Sequence, residues 1–573
     1  MTSLTVSTAI SSGRVRLVSN RQEALLTARI RVLLVAAGFA VLALVALLRI
    51  VILGIGGGSN NPASLAEALL PPRGEISDRN GIALARNYPA RALWFNPEAL
   101  GEDGTPLIKS PAAVAAELKA IFPDLDQKRV ERMLASGKPG YLRRRVVPDD
   151  ANKVQDIGEI GLELPFEMDR HYPQGTMAAH ILGFVAADGK GRVGMEQVLD
   201  KRLSDPSLRG TPVELSIDMR VQGALEDELR RGMLATNAMG AAGIVLDVDS
   251  GEVMALASLP EFNPNKIDRE GEQYMFNRVT NQVYELGSTF KPLTVAAAID
   301  AGVVRDFGKR YDASPVTVGR FTIKDGHDLG ASLNIPEMLI HSSNTVTARV
   351  SDELGSERMR QTMIDLGMNE RPHIELPARG FPLWPGKKWA RLTTMTVGFG
   401  HGIAVTPLHL ASAYAAMVNG GIWRPATLHK LEPSQVPKGR RVFKAATSSR
   451  MNQLMRMITL YGTGRNADAP GYRVGGKTGS AEKPGVGGYR KSSLVSTFAA
   501  AFPMDRPRFV VIIMLDEPKG TTASSFQRTA AWNAAPIVGR LVPRIGPILG
   551  IRPDMHRDVD ISDLRRLIPG GDE

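Results

Sequence analysis

Three short clusters in the chain carry the residue types that acyl transfer needs. Ser288-Thr289-Phe290-Lys291 follows Gly287 and opens an apolar run. Helical spacing of three puts the Ser288 hydroxyl and the Lys291 amine on one face, so the amine can act as base for an oxygen nucleophile. A serine in a first helical turn also lies beside free backbone N–H groups and the positive end of the helix dipole, and both favour developing negative charge. Alone the spacing is weak. Ser480-Ala481-Glu482-Lys483 has it too, and a serine at a helix start is as readily a simple cap. Ser342-Ser343-Asn344 falls between two apolar stretches, where a turn would put one hydroxyl and one amide on the same side, able to relay a proton and hold a lysine. Ser332-Leu333-Asn334 and Ser59-Asn60-Asn61 fit that pattern as well, and capping a turn is its ordinary use. Lys477-Thr478-Gly479-Ser480 follows Gly475-Gly476 in a stretch with strand character. Glycines there admit a close ligand or backbone, and a lysine with two hydroxyls along a strand edge can hold a carboxylate while strand N–H groups bind a peptide main chain.

In this order the clusters match S-x-x-K, S-x-N and K-T-G, a serine acyl-transfer signature far more specific than any one element. Composition leaves room for little else. With no cysteine there is no thiolate nucleophile, thiolate metal site or disulfide framework, and the nine histidines form no H-E-x-x-H. We therefore expect no metal and no cofactor. The formal charge of +11 is compatible with nucleic acid, an anionic membrane surface or an acidic substrate, and position along the chain must choose.

The elements that must position the clusters are legible in outline. AAGIVLDVDSGEVMALASL reads as a hairpin turning at Asp249-Ser250-Gly251. Helical patterns run from Thr289 to Ala301, Pro336 to Leu354, Leu408 to Asn419 and Met451 to Tyr461, and strands are expected at Tyr472 to Ala481, Ser496 to Phe502 and Arg508 to Leu515. Strands, then helices, then strands again predict an α+β domain with an antiparallel sheet flanked by helices. Ahead of it, Val32 to Leu48 is uncharged and the apolar run resumes after Arg49, about enough to cross a bilayer. Arg14, Arg16, Arg21, Arg29 and Arg31 precede it against Glu23 alone, which orients the N-terminus to the cytoplasm and makes a single-pass anchor rather than a cleaved signal peptide. The resulting division is a cytoplasmic N-terminus at 1–31, an anchor at 32–55, an extended module with small cores at 56–235, a domain holding the three clusters at 236–550 and a polar, loosely held tail at 551–573. The basic run from Lys128 to Arg145 reads as a solvated face. Lying outside the cytoplasm and without interleaved aromatics, it does not point to nucleic acid.

From about residue 30 to 545 the chain resembles the class B penicillin-binding proteins, peptidoglycan D,D-transpeptidases, and within them the septal, FtsI-type enzymes. The resemblance rests on the three clusters together with Arg73-Gly74-Glu75-Ile76-Ser77-Asp78-Arg79, Arg170-His171-Tyr172-Pro173-Gln174-Gly175, Gly194-Met195-Glu196, Phe262-Asn263-Pro264-Asn265, Gly400-His401-Gly402 and Thr406-Pro407-Leu408. It implies a transpeptidase domain of the penicillin-binding-protein and serine β-lactamase type on an elongated, β-rich pedestal of the dimerisation type, with one transmembrane helix. Arg73, Gly74, Asp78, Arg170 and Glu196 would be structural, with Arg73, Arg170 and Glu196 in networks between the two modules. Leu286, Ser480 and His409 depart from the family's usual proline, threonine and glutamine.

The resemblance also implies roles. Ser288 would attack the D-Ala-D-Ala carbonyl of a donor stem peptide with Lys291 as base, and Ser342 would pass the proton to the leaving amine. Asn344 would orient Lys291 and the peptide. Lys477, Thr478 and Ser480 would hold the terminal carboxylate, with Gly479 in the same substrate-binding strand, and the backbone N–H groups of Ser288 and Ser480 would stabilise the oxyanion. An acceptor amine on a neighbouring stem completes the cross-link, and β-lactams would acylate Ser288. The implied partners are the membrane, a SEDS-family glycosyltransferase like FtsW and other divisome proteins, at the inner membrane of the division septum with the catalytic domain periplasmic. An elongation-type enzyme, a serine β-lactamase, a penicillin-sensing receptor and a non-catalytic division scaffold are the competing readings.

Overall fold

The computed structural model describes residues 20–56, 73–98, 107–186, 188–267, 269–485 and 488–569. The first described segment is one helix, α1 (Asn20–Gly56). Its stretch Ala28–Leu48 is long and apolar enough to cross a membrane and is wholly exposed. The linker expected at Gly56–Pro62 lies outside the described residues beyond Gly56.

From Arg73 the chain builds a sheet from β1 (Ile76–Ser77), β2 (Ala83–Phe95), β3 (Gly140–Val146), β4 (Leu162–Glu163), β5 (Phe166–His171) and β6 (Val213–Glu214). The long strand β2 pairs with β1, β3, β4 and β5, all antiparallel, while β1 and β6 run parallel. The expected strands come with three helices, α2 (Pro111–Ile121), α3 (Gln127–Ala135) and α4 (Pro148–Asp156). Serine and aspartate N-caps at Ser110 and Asp126 start the first two, and a proline at the first helical position starts α2 and α4. Their apolar faces close a small separate core around Leu93, Phe95, Val114, Leu118 and Val154. The last three residues of the basic run are ion-paired: Arg143 with Asp124, Arg144 with Glu167, Arg145 with Asp169.

The second part begins with α5 (Met219–Ala235) and the hairpin β7 (Gly240–Asp247) and β8 (Val253–Leu259). Asp247 Oδ1 accepts from the N–H groups of Asp249 and Ser250 at the expected turn, and Gly251 supplies the positive φ of 82°. A 3₁₀ turn (Gly287–Phe290) leads into α6 (Lys291–Asp300). There follow a small hairpin, β9 (Val316–Val318) and β10 (Phe321–Ile323), then α7 (Ile335–His341), α8 (Asn344–Leu354), α9 (Arg391–Gly398), α10 (Pro407–Val418) and α11 (Ala445–Tyr461). Strands β11 (Gly475–Gly485), β12 (Gly488–Phe502) and β13 (Phe509–Asp516) return to the sheet, and α12 (Ala534–Ile545) packs back on it.

The five strands order as β11-β12-β13-β7-β8, antiparallel throughout. Every residue of β7 and β13 is buried, because both faces of the sheet are covered. Alternation divides the side chains between two cores. Ile244, Leu246, Ile512 and Met514 join the core with α6, α10 and α11, while Val245, Val511, Ile513 and Leu515 join the one with α5 and α12. That makes β11 the edge strand beside the 3₁₀ turn.

Two expectations change. The helical pattern Pro336–Leu354 is two helices, joined at the turn expected at Ser342-Ser343-Asn344, where Ser342 takes a left-handed φ of 63°. The tail is not loose: Leu564 is 1% exposed, Arg456 pairs with Asp558, and Asn334 Nδ2 donates to Leu567 O. A few apolar side chains spaced among charges suffice to seat it.

Candidate active site

The three clusters converge where the 3₁₀ turn, the α7–α8 break and β11 meet. Ser288 sits partly exposed in the turn and accepts the backbone N–H of Lys291 through its carbonyl. Thr289 Oγ1 donates to Leu286 O at 2.9 Å and Tyr414 Oη to Thr289 O at 2.7 Å, so the turn is tied at both sides. β11 passes so close that a Cβ on Gly479 would lie 2.4 Å from Leu286 O and 2.7 Å from Thr289 Cγ2. Only glycine fits there. Gly287, at φ 55°, makes the sharp entry to the turn.

Lys291 is fully buried. Its Nζ donates to Ser342 O, and lies 2.8 Å from Asn344 Oδ1 and 3.1 Å from Ser342 Oγ. The left-handed conformation of Ser342 turns both its carbonyl and its hydroxyl to the amine. From the other side Lys477, also fully buried, reaches Ser342 Oγ at 3.0 Å and its own neighbour's Thr478 O at 3.0 Å and Oγ1 at 3.2 Å. The Ser342 hydroxyl thus bridges two lysines. Burial and the neighbouring Lys477 hold the Lys291 amine well below the ordinary lysine value, and burial brings Lys477 down to about 7.

Hydrogen-bond inventory then fixes a direction. A neutral amine has two donors and one lone pair. For a neutral Lys291 the donors go to the acceptor-only Ser342 O and Asn344 Oδ1, leaving the lone pair to the Ser342 hydroxyl. A protonated Lys477 donates to Ser342 Oγ, whose own proton faces that lone pair.

Along β11, Thr478 and Ser480 share a face by strand alternation. Thr478 Oγ1 is 2.8 Å from Thr463 Oγ1, and Ser480 Oγ accepts the N–H of Ala530 at 3.1 Å, keeping its own proton to donate. A cavity of about 460 Å³ adjoins Asn344, walled by Phe321, Lys324, Phe399, His401 and Tyr489. A larger one, about 710 Å³, lies away from the lysines among the paired arginines of β3.

Asp325, which no pattern in the sequence marked, anchors the start of α8. Thr463, Tyr414 and Ala530 are also silent in sequence, since each acts through one hydrogen bond from a distant element. The departure His409 has a structural account. It stands in the capping box of α10, its Nδ1 accepting from Thr406 N at 3.1 Å and its Nε2 meeting Glu370 O at 2.8 Å. Burial pushes it down to about 4, so it is a neutral stand-in for a capping glutamine.

The pedestal residues form a buried network. Glu196, fully buried, takes Arg73 Nε on one oxygen at 2.8 Å and Arg170 Nε on the other at 2.7 Å, and Arg170 Nη1 donates to Gly74 O at 2.7 Å. These partners lie within the pedestal rather than across to the catalytic part. Contacts that do cross include His180, whose Nε2 lies 2.7 Å from Tyr274 O, and Asn265, which exchanges hydrogen bonds with the Tyr172 backbone.

Comparison with known proteins places these parts. The penicillin binding protein transpeptidase domain matches residues 241–538, and the penicillin-binding protein dimerisation domain matches 68–224. The chain is 38% identical to a probable peptidoglycan D,D-transpeptidase FtsI of Caulobacter vibrioides over 87% of its own length and 84% of the relative's. It is 30% identical to the peptidoglycan D,D-transpeptidase FtsI of Escherichia coli K12, over 84% of each. Its fold matches the crystal structure of penicillin binding protein 3 from Mycobacterium tuberculosis, complexed with aztreonam, at a TM-score of 0.66 and 23% identity, covering 85% of this chain and 98% of that one.

Proposed function

The chain belongs to the penicillin-binding protein transpeptidase family, and from that premise we infer that it is a peptidoglycan D,D-transpeptidase of the FtsI type, acting through an acyl-enzyme on Ser288. The observation that carries this reading is the Ser342 hydroxyl held between two buried lysines beside the Ser288 turn.

Lys291, kept neutral by burial, takes the Ser288 proton as Oγ attacks the penultimate D-alanine carbonyl of the donor stem. The backbone N–H groups of Ser288 and Ser480 receive the oxyanion. The proton returns through Ser342 to the departing amine, releasing D-alanine and leaving the acyl ester. An acceptor amine then attacks that ester, its proton going back by the same route, and Ser288 is regenerated. Lys477, Thr478 and Ser480 hold the donor's terminal carboxylate, Gly479 lets the strand close on the turn, and Asn344 aims Lys291. A β-lactam reacts as a donor whose leaving group stays attached.

The module at 56–235 serves as the pedestal, Arg73, Gly74, Asp78, Arg170 and Glu196 being structural there. The helix Ala28–Leu48 anchors the chain in the inner membrane with the N-terminus cytoplasmic and the catalytic domain periplasmic. The site of action is the division septum, beside an FtsW-like SEDS glycosyltransferase and other divisome proteins.

The test is cross-linking of nascent peptidoglycan by the purified full chain. Free D-alanine and cross-linked muropeptides are expected, and both vanish in Ser288→Ala. Turnover of β-lactam without cross-linking would make it a β-lactamase, and rescue of a depleted strain by Ser288→Ala would make it a scaffold. A fluorescent fusion along the sidewall rather than at midcell would exclude the septal role.

A further inference from the structure

Asp325 stands outside all three clusters, in the loop after β10, yet its carboxylate closes the first turn of α8. Oδ1 accepts the N–H of Asn344 and, at 3.3 Å, that of Thr345. Oδ2 lies 2.7 Å from both Ser343 Oγ and Thr345 Oγ1. A carboxylate here satisfies donors that the helix leaves open and meets the positive end of its dipole. Ser343, held this way, also caps the helix by accepting from Val346 N at 3.2 Å.

The consequence reaches the lysine. Asn344 is fixed at its backbone by Asp325 while its Oδ1 takes Lys291 Nζ at 2.8 Å and its Nδ2 meets Lys324 O at 3.4 Å. Phe321 to Lys324 are a wall of the cavity that adjoins Asn344. A small apolar cluster of Val316, Ile323, Ala348, Met395 and Phe399 seats the β9–β10 hairpin on α8 and α9. One carboxylate therefore ties the cleft wall to the amide that aims the base.

We propose that Asp325 is a positioning residue of the acylation site, holding the first turn of α8 so that Asn344 presents its amide oxygen to Lys291 while the 321–324 wall keeps register with it. This rests on the reading of Ser288 as nucleophile. Asp325 also acts by charge. The charged groups that bear on Lys291 are Lys477 from β11 and Asp325 from the loop, the Ser342 and Asn344 side chains being neutral. Lys477 disfavours the ammonium and Asp325 favours it. Losing the Asp325 charge should let Lys291 lose its proton at still lower pH.

The experiment measures the second-order rate of acylation by a fluorescent penicillin against pH, for the full chain in detergent, with the adduct mapped by mass spectrometry and thermal unfolding followed in parallel. Asp325→Ala should slow acylation roughly tenfold or more while the protein stays folded at the assay temperature, the scale of a lost charge-assisted hydrogen bond at the site. Asp325→Asn keeps the shape and should lose only a few-fold, with the acid limb of the profile moved to lower pH, which a purely structural role would not produce. Wild-type rate in Asp325→Ala overturns the proposal, as does a loss that merely tracks the folded fraction. If Asp325→Ala does not fold, an unmoved acid limb in Asp325→Asn overturns it. A wild-type protein without an adduct on Ser288 would instead fail the underlying reading.

Discussion

Lys477→Met removes one of the two charges around the Ser342 hydroxyl while keeping most of the side-chain volume. Because Lys291 Nζ and Lys477 Nζ lie 3.1 Å and 3.0 Å from the same oxygen, they are at most about 6 Å apart. At that distance two like charges repel by about 3 kcal/mol if the effective dielectric constant is about 20. An interaction of that size is large enough to displace the Lys291 titration visibly. The sign follows from the charge: Lys477 penalises the Lys291 ammonium, so its removal lets Lys291 hold its proton to higher pH. Acylation by a fluorescent penicillin, measured as a second-order rate constant from pH 5 to 10, should show an acid limb displaced to higher pH in the variant. The plateau should fall as well, because the carboxylate and Ser342 Oγ both lose a donor. The displaced limb, not the lower plateau, is the diagnostic. A variant whose plateau falls while its acid limb stays within half a pH unit of the wild type would refute the coupling.

Other consequences concern packing. Glu196→Ala leaves Arg73 and Arg170 buried without their shared carboxylate and should cost about 3–5 kcal/mol in guanidinium unfolding of the pedestal. Gly479→Ala forces a Cβ against Leu286 O, displaces the Ser288 turn and should cost about 1–3 kcal/mol in thermal unfolding with a larger loss in acylation rate. His409→Gln keeps an acceptor for Thr406 N, and denaturation should find it within about 1 kcal/mol of the wild type.

The chemistry was more legible than the scaffolding around it. Ser288, Lys291, Ser342, Asn344 and Lys477 stand in motifs whose order excludes the decoys, and the structure brings the last four of them within hydrogen-bonding reach of one another around Ser342. The apolar and β-branched runs likewise placed β7, β8 and β13 nearly to the residue, whereas β12 begins at Gly488, well ahead of the expected Ser496. The break at Ser342 was half legible: Ser342-Ser343-Asn344 reads as a turn between two apolar stretches even though helical periodicity runs across it, and only the left-handed conformation of Ser342 leaves no mark on composition. Asp325 was silent for a related reason: its four donors belong to a helix that begins well after it, and a loop carboxylate looks the same whether it faces solvent or a helix terminus. The tail misled by its charge, since Arg456 and Arg450 partner its aspartates and Leu564 fills a core gap.

The central claim, that Ser288 is the acylated nucleophile, is tested most directly by treating the full chain with benzylpenicillin and mapping the adduct by mass spectrometry. The account predicts one penicilloyl group, on the peptide containing Ser288, absent from a Ser288→Ala protein that unfolds at the wild-type temperature. An adduct on another residue, or persistent labelling of folded Ser288→Ala, would contradict it.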